Sequence, residues 1–262
     1  MKEEVGILYI CTGKYRVFWE EFYETAEKHF LPEMTKHYYV WSNFPVAAAE
    51  NVTYIPCQWC GWPDETLKRF HRFLAVKDAL LQHKYLYFFN ANVKLVADVH
   101  GEEVLPIGDY RLVAAVHALW WRPGPTVECK NVRDLLESNP MSLAYVPDPA
   151  KHDYIMGGFN GGYAEDYMEM AKTIKIRIDM DMAQGIIAKY HDESHMNHYS
   201  MLHPFRLLSP EYLFPENFPI PCDQKIIVLN KMDYKGIKGF RTAPNLYSKG
   251  LRERAKKVKS GP

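Results

Sequence analysis

The stretch YLYFFNANVKL (residues 85–95) decides the fold class, because an unbroken apolar run ends there in two asparagines, Asn90 and Asn92. Such a run without alternation is typical of a strand that is buried on both faces of a sheet. In parallel sheets, ligands bind beyond the carboxyl ends of the strands. Asparagine also ends strands by bonding its own backbone in a turn, and taken alone the pair fits that structural role better. The stretch therefore predicts a central strand and leaves a ligand contact open.

The segments before this strand alternate between strand and helix patterns. EVGILYI (4–10) is β-rich and leads into the turn CTGK (11–14). HYYVWS (37–42) and VTYIP (52–56) predict two further strands. Helical spacing follows the turn 11–14, where the apolar residues are Val17, Phe18, Phe22, Ala26 and Phe30.

A second helix is predicted between residue 56 and the central strand. Asp64 follows Pro63 as the N-cap, and apolar residues continue from Leu67 to Leu81. Strands that alternate with helices in this way predict an α/β fold with a mostly parallel central sheet and helices on both faces. The turn 11–14 and the two asparagines then lie at the carboxyl ends of strands.

The second half of the chain is less regular. RLVAAVHALWW (111–121) predicts a strand, GGFNGG (157–162) is glycine-rich, and residues 163–190 predict a helix. The chain becomes basic from Lys225 onward, with lysines or arginines at 231, 235, 238 and 241. We expect one domain over residues 1–242 and a basic, disordered tail over residues 243–262.

Composition excludes several classes of protein. The 262 residues carry equal numbers of basic and acidic side chains, which predicts no nucleic acid partner. No apolar stretch approaches the roughly 18 to 20 residues of a membrane span. The chain has five cysteines, an odd number, and is large enough to fold without disulfide bonds. This cysteine content suits a reducing compartment. We expect a cytoplasmic protein, with the basic tail as its candidate contact with the inner membrane.

Three short patterns have both functional and structural interpretations. Cys57 and Cys60 have the spacing of a redox pair or of half a zinc site, although two structural thiols are favoured because no second pair is present. In HDESHMNH (191–198), the histidines His191, His195 and His198 suggest a zinc hydrolase, but the metalloprotease pattern requires a glutamate directly after the first histidine. The four glycines of GGFNGG either admit a bulky ligand or permit a tight turn.

Taken in order, several motifs resemble the family 6 glycosyltransferases, which include the blood-group A and B enzymes and the α-1,3-galactosyltransferases. These motifs extend over residues 4–240 and are ILYICTGKY (7–15), ETAEKHF (24–30), HYYV (37–40), YLYFFNANVKL (85–95), NPMSLAYVP (139–147), MGGFNGG (156–162), HDESHMNHY (191–199) and LLSPEYL (207–213).

The resemblance implies a GT-A fold and transfer of a sugar from a UDP donor with retention of its α configuration. Mammalian members carry an Asp-x-Asp triplet that holds manganese on the diphosphate. Here the triplet is Asn90-Ala91-Asn92, which resembles the bacterial, metal-independent branch. We therefore expect no metal ligands and no metal cofactor.

The resemblance also assigns residues by position, with Glu193 as the catalytic acid that attacks or stabilises the anomeric carbon. Asn92 would face the diphosphate, Asn90 the ribose or sugar hydroxyls, and Asp192 the donor hydroxyls. The complete donor set is Ile10, Cys11, Thr12, Tyr15, Arg69, Asn90, Ala91, Asn92, Gly157, Gly158, Asp192, Lys231 and Lys238, with the two lysines on the diphosphate. The acceptor set is His117, Met156, Tyr190 and His191.

The expected reaction is transfer of GalNAc from UDP-GalNAc to the 3-hydroxyl of a galactoside, Fucα1-2Gal, in α linkage and without a metal. The alternatives are an α-1,3-galactosyltransferase that uses UDP-Gal, the zinc hydrolase on His191, His195 and His198, and a glycan-binding protein without activity. Glu193 forms a covalent glycosyl intermediate or only stabilises a cation, and the sequence leaves both open. The oligomeric state is also open.

Overall fold

The computed structural model describes residues 4–118, 135–216, 223–231 and 234. The strands are β1 (Glu4–Ile10), β2 (Thr35–Ser42), β3 (Val52–Pro56), β4 (Tyr85–Phe89), β5 (Val93–Leu95), β6 (Leu112–Val116), β7 (Ile155–Tyr163), β8 (Phe205–Leu208), β9 (Phe214–Pro215) and β10 (Ile226–Val228). The α-helices are α1 (Trp19–His29), α2 (Asp64–Leu67), α3 (Arg69–Leu74), α4 (Lys77–Leu80), α5 (Gly101–Val104), α6 (Ala164–Ala183) and α7 (Asp192–Ser200). Short 3-10 helices span Gly13–Phe18, Pro149–Lys151 and Pro210–Tyr212.

Seven strands form the main sheet in the order β3-β2-β1-β4-β7-β6-β8. Strands β1 to β4 are mutually parallel where they pair, β6 pairs parallel with β8, and β7 is antiparallel to both of its neighbours. The prediction of a mostly parallel sheet is therefore confirmed. A second sheet of order β5-β10-β9 brings residues 226–228 beside the strand that follows the asparagine triplet.

The central strand β4 is buried along its whole length, as its apolar sequence predicts. Tyr87 and Phe89 pack on one face of the sheet in a cluster that includes α1. Leu86 and Phe88 pack on the other face, in a cluster that includes α3 and α6. Because successive side chains of a strand point to opposite faces, one apolar run supplies both layers of the core.

The predicted helix before β4 is wrong as a continuous element, since the chain forms three short helices, α2, α3 and α4. The turn between α3 and α4 is tighter than an α-helix, since the Val76 N–H donates to the Phe73 carbonyl three residues back at 3.2 Å. Asp64 does not cap α2. It is the first residue of that helix, and its buried carboxylate accepts no hydrogen bond among the described residues.

GGFNGG is a strand, which differs from both interpretations of its glycines. A Cβ on Gly161 would lie 2.3 Å from Tyr87 Cδ1, so the neighbouring strand leaves no space for a side chain there. The helix predicted for 163–190 ends at Ala183, and Gly185 then has a φ of 74°.

Other expectations fall partly outside the described residues. The strand in 111–121 is β6, but residues 119–121 are not described, nor is the tail 243–262. None of the helices in the described part of the chain combines the length and apolar character needed to cross a bilayer.

Candidate active site

A cleft of about 250 Å³ opens at the carboxyl ends of β1 and β4. The sequence-predicted residues that line it are Ile10, Thr12, Tyr15, Arg69, Asn90, Ala91, Asn92, Tyr190, His191, Asp192, Glu193 and Lys231. They come from the ends of two parallel strands, from α3, from the start of α7 and from the segment after β10. Residues far apart in sequence thus meet at the position where α/β sheets bind ligands.

Five described residues of the predicted sets do not line this cleft. Cys11 is fully buried, and burial raises the pKa of its thiol to about 12. Gly157 and Gly158 lie in β7 behind Glu193 and Asn90. Met156 packs on the core, and the His117 ring meets the ring of Tyr154 edge-on. Lys238 lies outside the described residues.

Glu193, in the first turn of α7, is held on both of its carboxylate oxygens. Its Oε1 accepts a hydrogen bond from the Tyr154 hydroxyl, and its Oε2 accepts one from the Gly157 N–H at 2.7 Å. A Cβ on Gly157 would lie 3.0 Å from Oε2, so a glycine there lets the carboxylate approach the strand. Burial raises the pKa of Glu193, while these two hydrogen bonds oppose that rise.

Asp192 forms a buried ion pair with Arg69, whose Nε lies 2.9 Å from Asp192 Oδ2, although this contact is not aligned as a hydrogen bond. Arg69 also donates from Nη1 to the Gly157 carbonyl at 2.7 Å and stacks its guanidinium over the Phe88 ring. The predicted contact of Arg69 with the donor sugar would add to these three protein contacts. Arg69 links α3, β7 and α7 and lines the cleft.

The asparagine triplet is fixed to the protein at each residue. The Asn90 N–H donates to the Gly158 carbonyl at 2.8 Å, and the Ala91 carbonyl accepts from the Tyr9 hydroxyl at 2.7 Å. The side chain of Asn92 donates from Nδ2 to the Leu229 carbonyl at 2.8 Å. A carboxylate at this position would turn an oxygen toward that carbonyl, whereas an amide donates to it.

The backbone contact between Asn92 and Leu229 also explains how Lys231 reaches the cleft. The Leu229 N–H donates to the Asn92 carbonyl at 2.8 Å, which continues the pairing of β10 with β5. Lys231 follows two residues later, and its Nζ lies 5.9 Å from the centre of the Tyr15 ring. Asn92 thus holds the chain segment that carries the cleft's lysine, a role that the sequence did not indicate.

Sequence reasoning missed a second wall of the cleft, formed by Trp59, Gly61, Trp62, Glu65 and Thr66. The two indoles are 44% and 37% exposed, which is high for large apolar side chains. Both tryptophans lie in CQWCGW (57–62), next to the two cysteines.

Glu65 fastens this wall to the first turn of the fold. Its carboxylate accepts hydrogen bonds from the Thr12 hydroxyl at 2.8 Å, from the Cys60 N–H at 2.5 Å and from Arg72 at 2.7 Å. Cys57 and Cys60 are free thiols, which leaves the structural interpretation of this pair in place.

The sequence matches glycosyltransferase family 6 over residues 1–238. The chain belongs to this family. It is 33% identical over 233 residues to the O-antigen biosynthesis glycosyltransferase WbnI of Escherichia coli, an alignment that covers 87% of this chain and 94% of WbnI. The fold observed here agrees with the GT-A type of the family.

Two mammalian members are also similar. The human globoside alpha-1,3-N-acetylgalactosaminyltransferase 1 is 29% identical over 239 residues, which are 87% of this chain and 66% of the human protein. The rat histo-blood group ABO system transferase 1 is 28% identical over 247 residues, which are 89% of this chain and 66% of the rat protein. The chain therefore spans just under two thirds of the length of these relatives.

Family membership makes the protein a glycosyltransferase, and the histidines do not favour the zinc hydrolase. His198 Nδ1 contacts the Tyr145 carbonyl at 2.7 Å, and the buried His195 lies 3.6 Å from Asp181. Within the described ranges, no three histidine, cysteine, aspartate or glutamate side chains converge as metal ligands.

Sugar transfer by this glycosyltransferase is expected to fall as the pH is lowered through about 6, the value to which burial raises the pKa of Asp192. Protonation of Asp192 removes its ion pair with Arg69, and Glu193, whose pKa burial also raises, loses charge in the same direction. An acid whose folded pKa is raised contributes more folding stability as the pH falls, so protonation of Asp192 and Glu193 does not itself unfold the protein. Rates from pH 5 to 8, recorded with melting curves, check this, and an unchanged rate at pH 5 would contradict it.

Proposed function

We propose that this protein transfers GalNAc from UDP-GalNAc to the 3-hydroxyl of a galactoside, probed here as Fucα1-2Gal, with retention of the α configuration and without a metal ion. The observation that carries the proposal is the placement of Glu193 and Lys231 on one cleft at the carboxyl ends of β1 and β4. The relative named as an alpha-1,3-N-acetylgalactosaminyltransferase supports the donor and the linkage.

The charges of the cleft suit this reaction. Departure of UDP leaves positive charge on the anomeric carbon and negative charge on the diphosphate. Glu193 offers an anion for the carbon, and Lys231 offers a cation for the phosphates through charge-assisted hydrogen bonds. Glu193 accepts hydrogen bonds from Tyr154 and Gly157, and each of its carboxylate oxygens can accept more than one. Lone pairs therefore remain available to face the sugar. Both the covalent and the ion-stabilising roles of Glu193 fit this geometry.

The side chains of the asparagine triplet are poor ligands for a divalent metal ion on the diphosphate. Such ions prefer several anionic oxygens, whereas Asn90 and Asn92 offer neutral amides. The Asn92 amide nitrogen donates to the Leu229 carbonyl, so this side chain can offer a metal only its single neutral Oδ1. We therefore propose that Lys231, and not a metal ion, neutralises the charge of the phosphates.

The proposed acceptor position is the end of the cleft where Trp62, Tyr190 and His191 lie. Trp62 and His191 meet edge-on, with ring centres 4.7 Å apart, and Tyr190 lines the same cleft. Flat aromatic faces pack well against the apolar faces of sugars. We place the galactoside at this end.

The direct test is an assay with UDP-GalNAc or UDP-Gal and with fucosylated or unfucosylated galactosides, each with and without EDTA. We expect GalNAc transfer to the fucosylated acceptor, with α-1,3 linkage in the product. Equal rates on both acceptors would remove the fucose requirement. Glycan binding without product would favour the inactive binding protein, and higher rates with UDP-Gal would favour the galactosyltransferase alternative.

Replacement of Gly158 by alanine is expected to shift donor preference from UDP-GalNAc toward UDP-Gal without abolishing transfer. A Cβ there would lie 2.9 Å from Asn90 Nδ2 and 3.0 Å from Leu213 Cδ2, so the methyl group would push the Asn90 amide toward the sugar. One methyl group in a pocket is typically worth about 1 to 3 kcal/mol of discrimination. Competition between the two donors measures the shift.

Gly157→Ala provides the matched comparison, because its Cβ would lie 3.0 Å from Glu193 Oε2. It should lower turnover with both donors alike. A wild-type preference for UDP-Gal, or a Gly158→Ala variant with unchanged preference, would show that this strand does not select the sugar.

A further inference from the structure

Tyr154 lies directly before β7 and is 1% exposed. Its hydroxyl donates a hydrogen bond to Glu193 Oε1, across 39 residues of sequence. Burial and the neighbouring Glu193 charge raise the pKa of Tyr154 well above its usual value, so the hydroxyl keeps its proton at neutral pH. Tyr154 is therefore a permanent donor to this carboxylate.

The backbone around this contact is fixed from two directions. The Tyr154 carbonyl accepts the His117 N–H at 3.0 Å. The Asn197 side chain of α7 forms two hydrogen bonds to the Ile155 backbone, each of 2.9 Å. Since Asn197 lies one helical turn after Glu193, these bonds hold the start of α7 against the start of β7. The phenol and the carboxylate therefore keep their relative position.

Several groups other than Tyr154 also influence the charge of Glu193. Arg69 from α3 and Lys231 from the segment after β10 favour its charged form, as does the Gly157 N–H from β7. Asp192 on α7 carries a like charge. Burial is the largest influence, and it favours the neutral form.

We propose that Tyr154 is a positioning residue, whose hydroxyl fixes the Glu193 carboxylate toward the donor sugar and keeps it ionised in its buried site. This inference rests on the proposed function of Glu193. The Tyr154 ring also meets the rings of His117 and Tyr190 edge-on, with centres 5.8 and 6.5 Å away. The ring of Tyr154 therefore packs against Tyr190, which lines the cleft, while its hydroxyl donates to Glu193.

The test is Tyr154→Phe, which removes one oxygen atom and keeps the ring. A hydrogen bond to a charged group is typically worth a factor of about ten or more, so we expect kcat to fall by roughly tenfold or more. The donor KM should stay within about twofold, because the phenol does not line the cleft. The acidic limb of the pH profile should move to higher pH, since a group that lowers the pKa of Glu193 is lost.

Tyr87→Phe is the matched control. Tyr87 is also fully buried, and its hydroxyl donates to the Val104 carbonyl at 2.6 Å, away from the cleft. We expect a loss of thermal stability with kcat and the pH profile unchanged. A fall in kcat equal to that of Tyr154→Phe would show that any lost buried hydroxyl has this effect, and would overturn the proposal.

The pKa of Glu193 is a readout that needs no turnover. Infrared difference spectra between each protein and its Glu193→Gln counterpart report the carboxylate directly, and the pKa should be higher in Tyr154→Phe. If Tyr154→Phe does not fold, 3-fluorotyrosine at position 154 gives a change of opposite sign, because a more acidic phenol donates more strongly and lowers the pKa.

The outcomes separate the two proposals. A pKa of Glu193 and a kcat that both stay unchanged in Tyr154→Phe would overturn the positioning role. A wild-type protein that transfers no sugar would instead overturn the proposed function. The infrared pKa would then still show whether Tyr154 holds Glu193 ionised.

Discussion

Glu193→Gln is expected to lower turnover by roughly two to four orders of magnitude while UDP still binds. Glutamine keeps the volume of the side chain but carries no charge to stabilise the anomeric carbon. It also offers only one oxygen, whereas Glu193 accepts from both the Tyr154 hydroxyl and the Gly157 N–H. The amide nitrogen must therefore face a donor, which loosens the side chain further. Single-turnover rates and UDP titration separate the chemical step from binding.

Glu33→Gln controls for the loss of a carboxylate that accepts a backbone hydrogen bond. Glu33 Oε1 accepts the Gly101 N–H at 2.6 Å, and neither residue lines the cleft. Its replacement should leave turnover within about twofold, since surface changes rarely alter a site. A Glu193→Gln variant that kept more than about half of the wild-type turnover would show that this acid does not carry the chemical step.

The sequence was sufficient for the central part of the fold because that part depends on local patterns. The apolar run of residues 85–89 predicted a strand buried on both faces, and its alternate side chains do supply both halves of the core. The turn after residue 10 and the triplet after residue 89 were expected at one edge of the sheet, and both line the cleft. Strand pairing follows from such patterns when strands and helices alternate.

Contacts between distant residues were not predictable in the same way. Asn92 lines the cleft as expected, but no local pattern indicated that its Nδ2 donates to Leu229, 137 residues away. Tyr154 holds Glu193 across 39 residues and belongs to no motif that the sequence singled out. The first contact depends on the pairing of β10 with β5 and the second on the packing of β7 against α7, and a single sequence carries no periodic signal for either.

Gly157 and Gly158 show a second kind of information that the sequence lacks, namely which neighbour requires a glycine. Gly157 and Gly158 were assigned to the donor sugar, whereas the structure sets them behind Glu193 and Asn90. Glycine signals that a side chain is not tolerated, but the reason is a neighbouring residue here, and the sequence does not name that neighbour. Any influence of these positions on the sugar must pass through the two side chains that lie in front of them.

Lys231→Met is expected to reduce kcat/KM for the UDP-sugar by roughly 100-fold or more, because a cation on the leaving phosphates is worth several kcal/mol in a closed site. Methionine has about the length of the aliphatic part of lysine and lacks the ammonium group with its charge and its three donors. Lys231 lines the cleft beside Tyr15 and favours the charged form of Glu193. Lys225→Met is the control, since Lys225 lies directly before β10 and pairs with Glu103, and neither residue lines the cleft. Its effect on kcat/KM should stay within about threefold, as is typical of a partly exposed ion pair.

The same assay in excess EDTA decides whether this lysine takes the place of a metal ion. If Lys231 neutralises the diphosphate, wild-type transfer should proceed in EDTA at nearly the rate seen with added manganese. Manganese should not rescue Lys231→Met either, because the amides of Asn90 and Asn92 offer no anionic oxygen to hold it and Asn92 already donates to Leu229. Truncation before residue 231 should abolish transfer for the same reason. A tenfold or greater loss on chelation would show that a metal is used after all, with ligands other than this triplet, and Lys231 would then have a different role.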